Sequence, residues 1–234
     1  VRKNTWPFLI FKTIGLLLLS ALTAELLLLG SAAVGNSFLP KFNPSTTSFI
    51  QSYEFSHWRG ADFQWVPLEQ ISPTLIRAVL VAEDDAFFEH EGLDLKELKA
   101  SWEKNLKKKR IVRGGSTLTM QLVKNLYLSP SRNPIRKFNE MILALDLESK
   151  ANKGRILEVY LNIAQWGEGI YGAQAASRRY FKKDARNLSP TEAAYLAAIL
   201  PNPVYFTKKA NGRLRYRQAM ILQRMGGRKL PPGL

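Results

Sequence analysis

No cysteine occurs anywhere in the sequence, which excludes disulfides and thiol chemistry and is compatible with an oxidising compartment. Acidic residues are scarce: 19 Asp and Glu stand against 34 Lys and Arg, a formal net charge of +15. That imbalance favours polyanionic partners, whether nucleic acid, anionic lipid or a phosphorylated substrate. No internal repeat is evident, and the two-residue alternation of strands is weak. What remains is a chain of 234 residues, 46% hydrophobic, long enough for one compact domain with a sizeable core plus an anchor.

The longest apolar run lies near the N-terminus. Residues 13–29 are apolar except for Thr13, Ser20, Thr23 and Glu25. With Trp6–Ile10 before and Ala32–Val34 after, the stretch can cross a hydrocarbon core of ~30 Å. Arg2, Lys3 and Lys12 precede it and only Lys41 follows closely, so the positive-inside rule keeps the N-terminus cytoplasmic and exports the rest. A cleaved signal peptide, with Ser31-Ala32-Ala33 as its site, is the competing reading, and the run is long for one. An exported domain meets no chromosomal DNA, which turns the basic surface toward lipid headgroups or a phosphorylated lipid and away from nucleic acid. Glu25 sits where a carboxylate is costly; it is protonated, near the interface, or in contact with a partner helix.

This divides the chain into a cytoplasmic tail at 1–12, a transmembrane anchor at 13–35, a polar linker at 36–50 and a mostly α domain at 51–234. The linker carries Asn43-Pro44-Ser45-Thr46-Thr47. Ser72-Pro73 reads as an N-cap and first helical residue. Asp94 with Glu97 forms a capping-box-like pair before Leu95, Leu98, Trp102 and Leu106 at helical spacing. Ser116 or Thr117 caps a helix through Leu118, Leu122 and Leu126, and Asn133-Pro134 opens another. Ser189-Pro190-Thr191-Glu192 caps an Ala/Leu-rich helix ended by Pro201, and a last helix near 213–225 stops at Gly226-Gly227. Lys104–Arg113 is too charged for core and reads as a mobile loop between helices.

Three clusters can carry chemistry. In Glu83–Gly92, acids crowd the C-terminal end of an apolar helix, where the dipole disfavours them and aromatic neighbours raise a carboxylate pKa, as a general base requires. The competing reading is a solvated helix end. In Arg113–Asn125, two glycines and a Ser/Thr-capped helix start resemble a phosphate cradle, with Thr117, Gln121 and Lys124 on one face. It is not a P-loop, because the Gly-Lys-Ser/Thr ending is absent. In the third cluster, Arg132 precedes the Asn133 cap. Arg136 and Glu140 are spaced for an ion pair, which on a surface stabilises by under ~1 kcal/mol. Twelve Lys and Arg against two acids between Lys96 and Lys137 can neutralise a diphosphate or simply face anionic lipid. Residues 153–162 and Gly169–Ala176 read as structural, the second as small residues for close helix packing.

Taken in order, these segments resemble the five signature motifs of the family 51 glycosyltransferases. That family comprises the monofunctional peptidoglycan glycosyltransferases and the glycosyltransferase domains of class A penicillin-binding proteins. Glu83–Gly92 is similar to its Glu-Asp-x-x-Phe-x-x-His-x-Gly motif, and Gly114–Gln121 to Gly-Gly-Ser-Thr-x-Thr-Gln-Gln. Arg136–Glu140 fits Arg-Lys-x-x-Glu, and Lys153–Asn162 fits Lys-x-x-Ile-Leu-Glu-x-Tyr-Leu-Asn. Gly169–Phe181 and Leu188–Pro203 resemble the C-terminal segments. Met120 departs from the pattern, standing where the family usually has glutamine. The lack of a transpeptidase segment points to the monofunctional branch.

The resemblance implies a lysozyme-like bilobal fold with a smaller, membrane-apposed lobe. Its implied substrates are lipid II and the growing glycan strand, and cell-wall synthesis proteins are candidate partners. Glu83 resembles the general base. Ser116, Lys124 and Arg132 resemble diphosphate contacts, with Thr117, Gln121, Asn125, Arg136 and Lys137 in the same binding segments. Glu140 resembles a second catalytic carboxylate that orients Lys137 or a divalent cation, Mg or Mn, which the sequence does not require. Two rivals stand beside this reading: a lysozyme-like peptidoglycan hydrolase, and a non-enzymatic, basic, membrane-tethered scaffold.

Overall fold

The computed structural model describes residues 6–108, 114–131, 133–209 and 211–232. Arg113 and Arg132 lie outside the described residues. The long N-terminal helix α1 runs Trp6–Phe38, and α2 follows at Ser48–His57. Next come α3 (Pro73–Glu83), α4 (Leu95–Lys108), α5 (Leu118–Tyr127), α6 (Pro134–Glu148) and α7 (Lys153–Ile163). The chain closes with α8 (Ala173–Phe181), α9 (Pro190–Ile199), α10 (Pro203–Lys208) and α11 (Gly212–Met225). The mostly α expectation holds.

Side-chain caps set most starts. Ser72, Thr117, Asn133 and Asn152 each accept a backbone N–H of the first turn, and Ser189 with Glu192 closes a full capping box. Proline sits in the first turn of α3, α6 and α9, where its missing N–H costs nothing.

Several boundaries differ from expectation. Charged residues 104–108 continue α4 as a solvated helix face and do not open a loop, while 109–113 lie outside the described residues. Residues 36–38 belong to α1 and 48–50 to α2, so the irregular connection is only 39–47. A small sheet was not anticipated. β1 (Asp62–Phe63) pairs parallel with β3 (Ile170–Tyr171), which pairs antiparallel with β2 (Gln165–Gly167). Gly169 and Gly172, expected to ease helix packing, instead adopt φ of +70° and +86° at the two ends of β3. A Cβ at Gly172 would collide with the Asn162 carbonyl and one at Gly169 with the Tyr53 ring, so both need glycine.

One continuous core joins α3, α9 and α11 on one side to α5, α6 and α7 on the other. α1 is long and apolar enough to cross a membrane, but its last turns belong to the domain. Ala32 is buried in the same core, and Asn36 donates to the Leu143 carbonyl (3.2 Å) and to Asp146 Oδ2 (2.8 Å). An anchor boundary at 35 therefore cuts through packed structure. Removing residues 1–20 should leave the unfolding midpoint in detergent unchanged. Removing 1–35 strips the Ala32 packing and the helix that holds Asn36, a loss of about 2–4 kcal/mol and roughly 5–15 °C in Tm. Equal midpoints would show that α1 does not contribute to the domain.

Candidate active site

Glu83 is the last residue of α3, with its side chain only 11% exposed. Its Oε1 accepts from Arg217 Nη2 of α11 at 2.7 Å, and its Oε2 accepts from Gln121 Nε2 of α5 at 3.1 Å. Gln121 Oε1 in turn accepts from the Tyr160 hydroxyl of α7 at 3.1 Å. Four helices thus fix one carboxylate. Burial pushes its pKa above the ordinary glutamate value, while Arg217, the Gln121 hydrogen bond and Lys124 pull it back. The net effect is upward, so the Glu83 carboxylate takes a proton more readily than an ordinary glutamate.

The residues that follow Glu83 build its support. Asp84 is buried and accepts from the Leu118 amide (2.8 Å) and from His90 Nε2 (3.0 Å). Thr117 caps α5 and donates to the Gly92 carbonyl at 2.6 Å. These bonds tie the turn after α3 to the first turn of α5. They also correct the phosphate-cradle expectation: the anion at the start of α5 is the chain's own Asp84, and the Thr117 hydroxyl points inward. Asn125 is likewise buried, and Met120, at the departure from the family pattern, is fully buried in the core.

The second carboxylate lies on α6. Glu140 is buried, with Oε1 paired to Arg136 and Oε2 to Lys137 Nζ at 2.8 Å. The surface ion pair inferred from spacing is instead a buried one, because α6 packs between α5 and α1. Lys137 Nζ also donates to Ser116 Oγ at 2.7 Å. Burial, with Arg136 and Lys124 nearby, lowers the Lys137 pKa to about 8. Lys124, over the Phe49 ring at 5.4 Å, acts electrostatically on both Glu83 and Lys137 and so lies near each of them.

Gln121 therefore touches Glu83, while Ser116, Arg136 and Lys137 gather around Glu140, and Lys124 acts on both groups. Glu140 with two cations on its two oxygens does not fit a directly bound divalent cation, which would have to displace both. Among the described residues no group of three His, Asp or Glu side chains gathers elsewhere to hold one.

Arg217 was not anticipated. It had a visible signal: on α11 it is three residues after Leu214 and four before Ile221, both buried, so it is a charge on an apolar helix face. A charge placed there requires a buried partner.

A proton acceptor set against a cluster of cations is the equipment of an enzyme that transfers a group from an anionic leaving group. Residues 50–226 match the family described as Transglycosylase, and the chain belongs to that family. A protein of Thiobacillus denitrificans named biosynthetic peptidoglycan transglycosylase is 49% identical over 164 residues, 70% of this chain and 71% of that protein. One of the same name from Chromobacterium violaceum is 42% identical over 214 residues, 88% of this chain and 93% of the relative. Another, from Laribacter hongkongensis, is 43% identical over 187 residues, 78% and 82% of the two chains.

Proposed function

We propose that the chain polymerises lipid II into β-1,4-linked glycan strands and releases undecaprenyl diphosphate. The observation that carries this reading is the pairing of Glu83, a buried proton acceptor, with the Lys124–Arg136–Lys137 cluster. Glu83 takes the proton of the acceptor 4-hydroxyl. The oxygen attacks the anomeric carbon of the growing chain with inversion, and the carbon–oxygen bond to the diphosphate breaks. The electron pair leaves on the diphosphate, whose charge is met by Lys124, Lys137 and Arg136, with Ser116 orienting the Lys137 ammonium. Glu83 then passes its proton to solvent. Pre-placed cations at the point of charge development are worth more here than a proton donor, because a diphosphate leaves as a stable anion. Arg132 stands in this reading on resemblance alone, and no step needs a metal.

A hydrolase needs a second carboxyl group free to act as acid or nucleophile. Glu140 is committed to two ion pairs, which disfavours that chemistry. α1 would hold the enzyme in the bacterial cytoplasmic membrane as a single pass, with its N-terminus cytoplasmic and the domain outside. Exposed Trp102 and Leu106 of α4 with Ile135 and Phe138 of α6 suit contact with the bilayer. The test is incubation of the purified full-length protein with lipid II in detergent, with lipid-free strands in parallel. Polymer from lipid II is expected. Digested strands without polymer would replace the transferase by the hydrolase, and neither would leave the scaffold.

Arg217 supplies a pH signature. Arg217→Gln removes the largest influence that lowers the Glu83 pKa, so that pKa rises further. The base works only as the anion, and activity is lost as pH falls through its pKa. The acid limb of kcat/KM should therefore move to higher pH in Arg217→Gln and stay nearer wild type in Arg217→Lys. An unmoved limb would separate Arg217 from the base.

A further inference from the structure

We infer that α1 is a positioning element of the active site, clamped to α6 through Glu25 and Asn36, and that its register sets the depth at which the Lys137–Glu140 cluster meets the membrane surface. The inference rests on the lipid-linked substrate proposed above.

Polar contacts join the two helices along their lengths. Glu25 Oε1 accepts from Asn139 Nδ2. Asn36, fully buried, bonds Leu143 and Asp146, and Lys150 just past the end of α6 donates to the Ala33 carbonyl at 2.9 Å. The bonds made by Glu25 and Asn36 fall in the same order on both helices, so the N-terminal part of α6 lies on the Glu25 side of their contact. Sliding one helix along the other by a single turn would break both. Gly35 reinforces the register: its missing Cβ admits the Tyr127 ring of α5, which would stand 2.9 Å from a methyl there.

The lengths then decide where the membrane ends. α1 has 33 residues, about 50 Å. Its C-terminal part, from Glu25 onward, is docked on the domain. Residues 6–24 remain, about 28 Å of helix, which matches a hydrocarbon core of ~30 Å. The Lys12 ammonium then reaches back to the inner headgroups, and the span begins earlier than the tail boundary at 12 expected from the sequence. Glu25 thus lies at the outer boundary and not at the bilayer centre, where its carboxylate finds a buried amide in place of lipid. The same register brings the first turns of α6 to that boundary. Ile135 and Phe138, both more than 60% exposed, then face lipid, and Lys137 and Glu140 lie at the level of headgroup phosphates. Asn139 is itself 5% exposed and adjoins Glu140, so the bond from Glu25 holds the turn of α6 that presents Lys137 and Glu140 to the site.

Glu25 is accordingly a positioning residue, acting through Asn139. In liposomes containing lipid II, Glu25→Leu should lower kcat roughly tenfold with KM little changed. Glu25→Gln, whose amide oxygen still accepts from Asn139, should stay within about twofold of wild type. Asn139→Ala should cost as much as Glu25→Leu, and the double variant no more than either. Wild-type rates in Glu25→Leu, no recovery in Glu25→Gln, or additive losses would overturn the inference.

The absence of native cysteine allows a second measurement that does not depend on activity. Glu25→Cys with Asn139→Cys should cross-link with a short bismaleimide, whose span matches two side chains that meet end to end, in the membrane-inserted full chain. Failure to cross-link would refute docking even if every variant were inactive. Ready cross-linking in a chain whose wild type makes no polymer from lipid II would reject the positioning role together with the proposed substrate, and leave the docked helix as architecture.

Discussion

Glu83→Gln should abolish polymer formation from lipid II while leaving the domain folded. General-base catalysis typically contributes ~10²–10⁴-fold, and an amide at this position keeps the shape but takes no proton. The surroundings can absorb the change. Arg217 Nη2 can still donate to the new amide oxygen, and Gln121 can turn its amide over so that its oxygen accepts from the new NH2 group. The Tyr160 hydroxyl, which donates to Gln121 in the wild type, then serves as acceptor. Stability responds with a definite sign. The Glu83 pKa is raised in the folded state, so the stability linked to its protonation is present at low pH and lost as pH rises through that pKa. Above that pKa the ionised group is a cost, which the amide removes at the expense of one charged partner for Arg217. Near-equal unfolding midpoints at pH 7 are therefore expected alongside the loss of turnover. A variant that keeps a tenth of wild-type activity would show that another group takes the proton.

What the sequence disclosed and what it concealed divide along a physical line. Helix starts were legible because caps are local: Ser72, Asn133 and Ser189 bond amides two or three residues ahead. The clusters around Glu83, Lys124 and Glu140 were legible because their residue types fall close together along the chain. Contacts made across the fold were not. Arg217 reaches Glu83 over 134 positions and Asn139 reaches Glu25 over 114, and no periodicity reports either. The start of α5 was misjudged for a related reason. A capped helix with two preceding glycines looks open to a phosphate, and only the folded chain brings Asp84 onto the Leu118 amide. The small sheet escaped notice because its strands are two or three residues long, too short for alternation to register. The Arg136–Glu140 pair was seen by its spacing, but its burial depends on the packing of α6 against α1 and α5.

Lys137 carries the second large effect. Its ammonium is bonded to Ser116 and Glu140 and is partly desolvated, so removing it with Lys137→Met should lower kcat/KM on lipid II by ~10²-fold, the usual loss for one preorganised donor at a developing anion. Its pKa near 8 adds a test that a merely structural lysine would fail. Below about 8 the free enzyme carries the charge that receives the diphosphate, and above it the charge is lost. The kcat/KM profile should therefore fall on the basic side near pH 8. Bound diphosphate favours the protonated form, so the corresponding limb in kcat should appear at higher pH. Lys137→Arg keeps a permanent charge. It should be slower at pH 7, because a planar guanidinium cannot reproduce the bonds to both Ser116 and Glu140, yet its basic limb near 8 should vanish. Glu140→Gln makes the converse case. With the anion gone, the Lys137 ammonium loses a stabilising partner and its pKa falls, moving the basic limb to lower pH. A wild-type profile flat from pH 7 to about 9.5, or a limb that persists unshifted in Lys137→Arg, would remove Lys137 from the diphosphate site and return the charge there to Lys124 and Arg136.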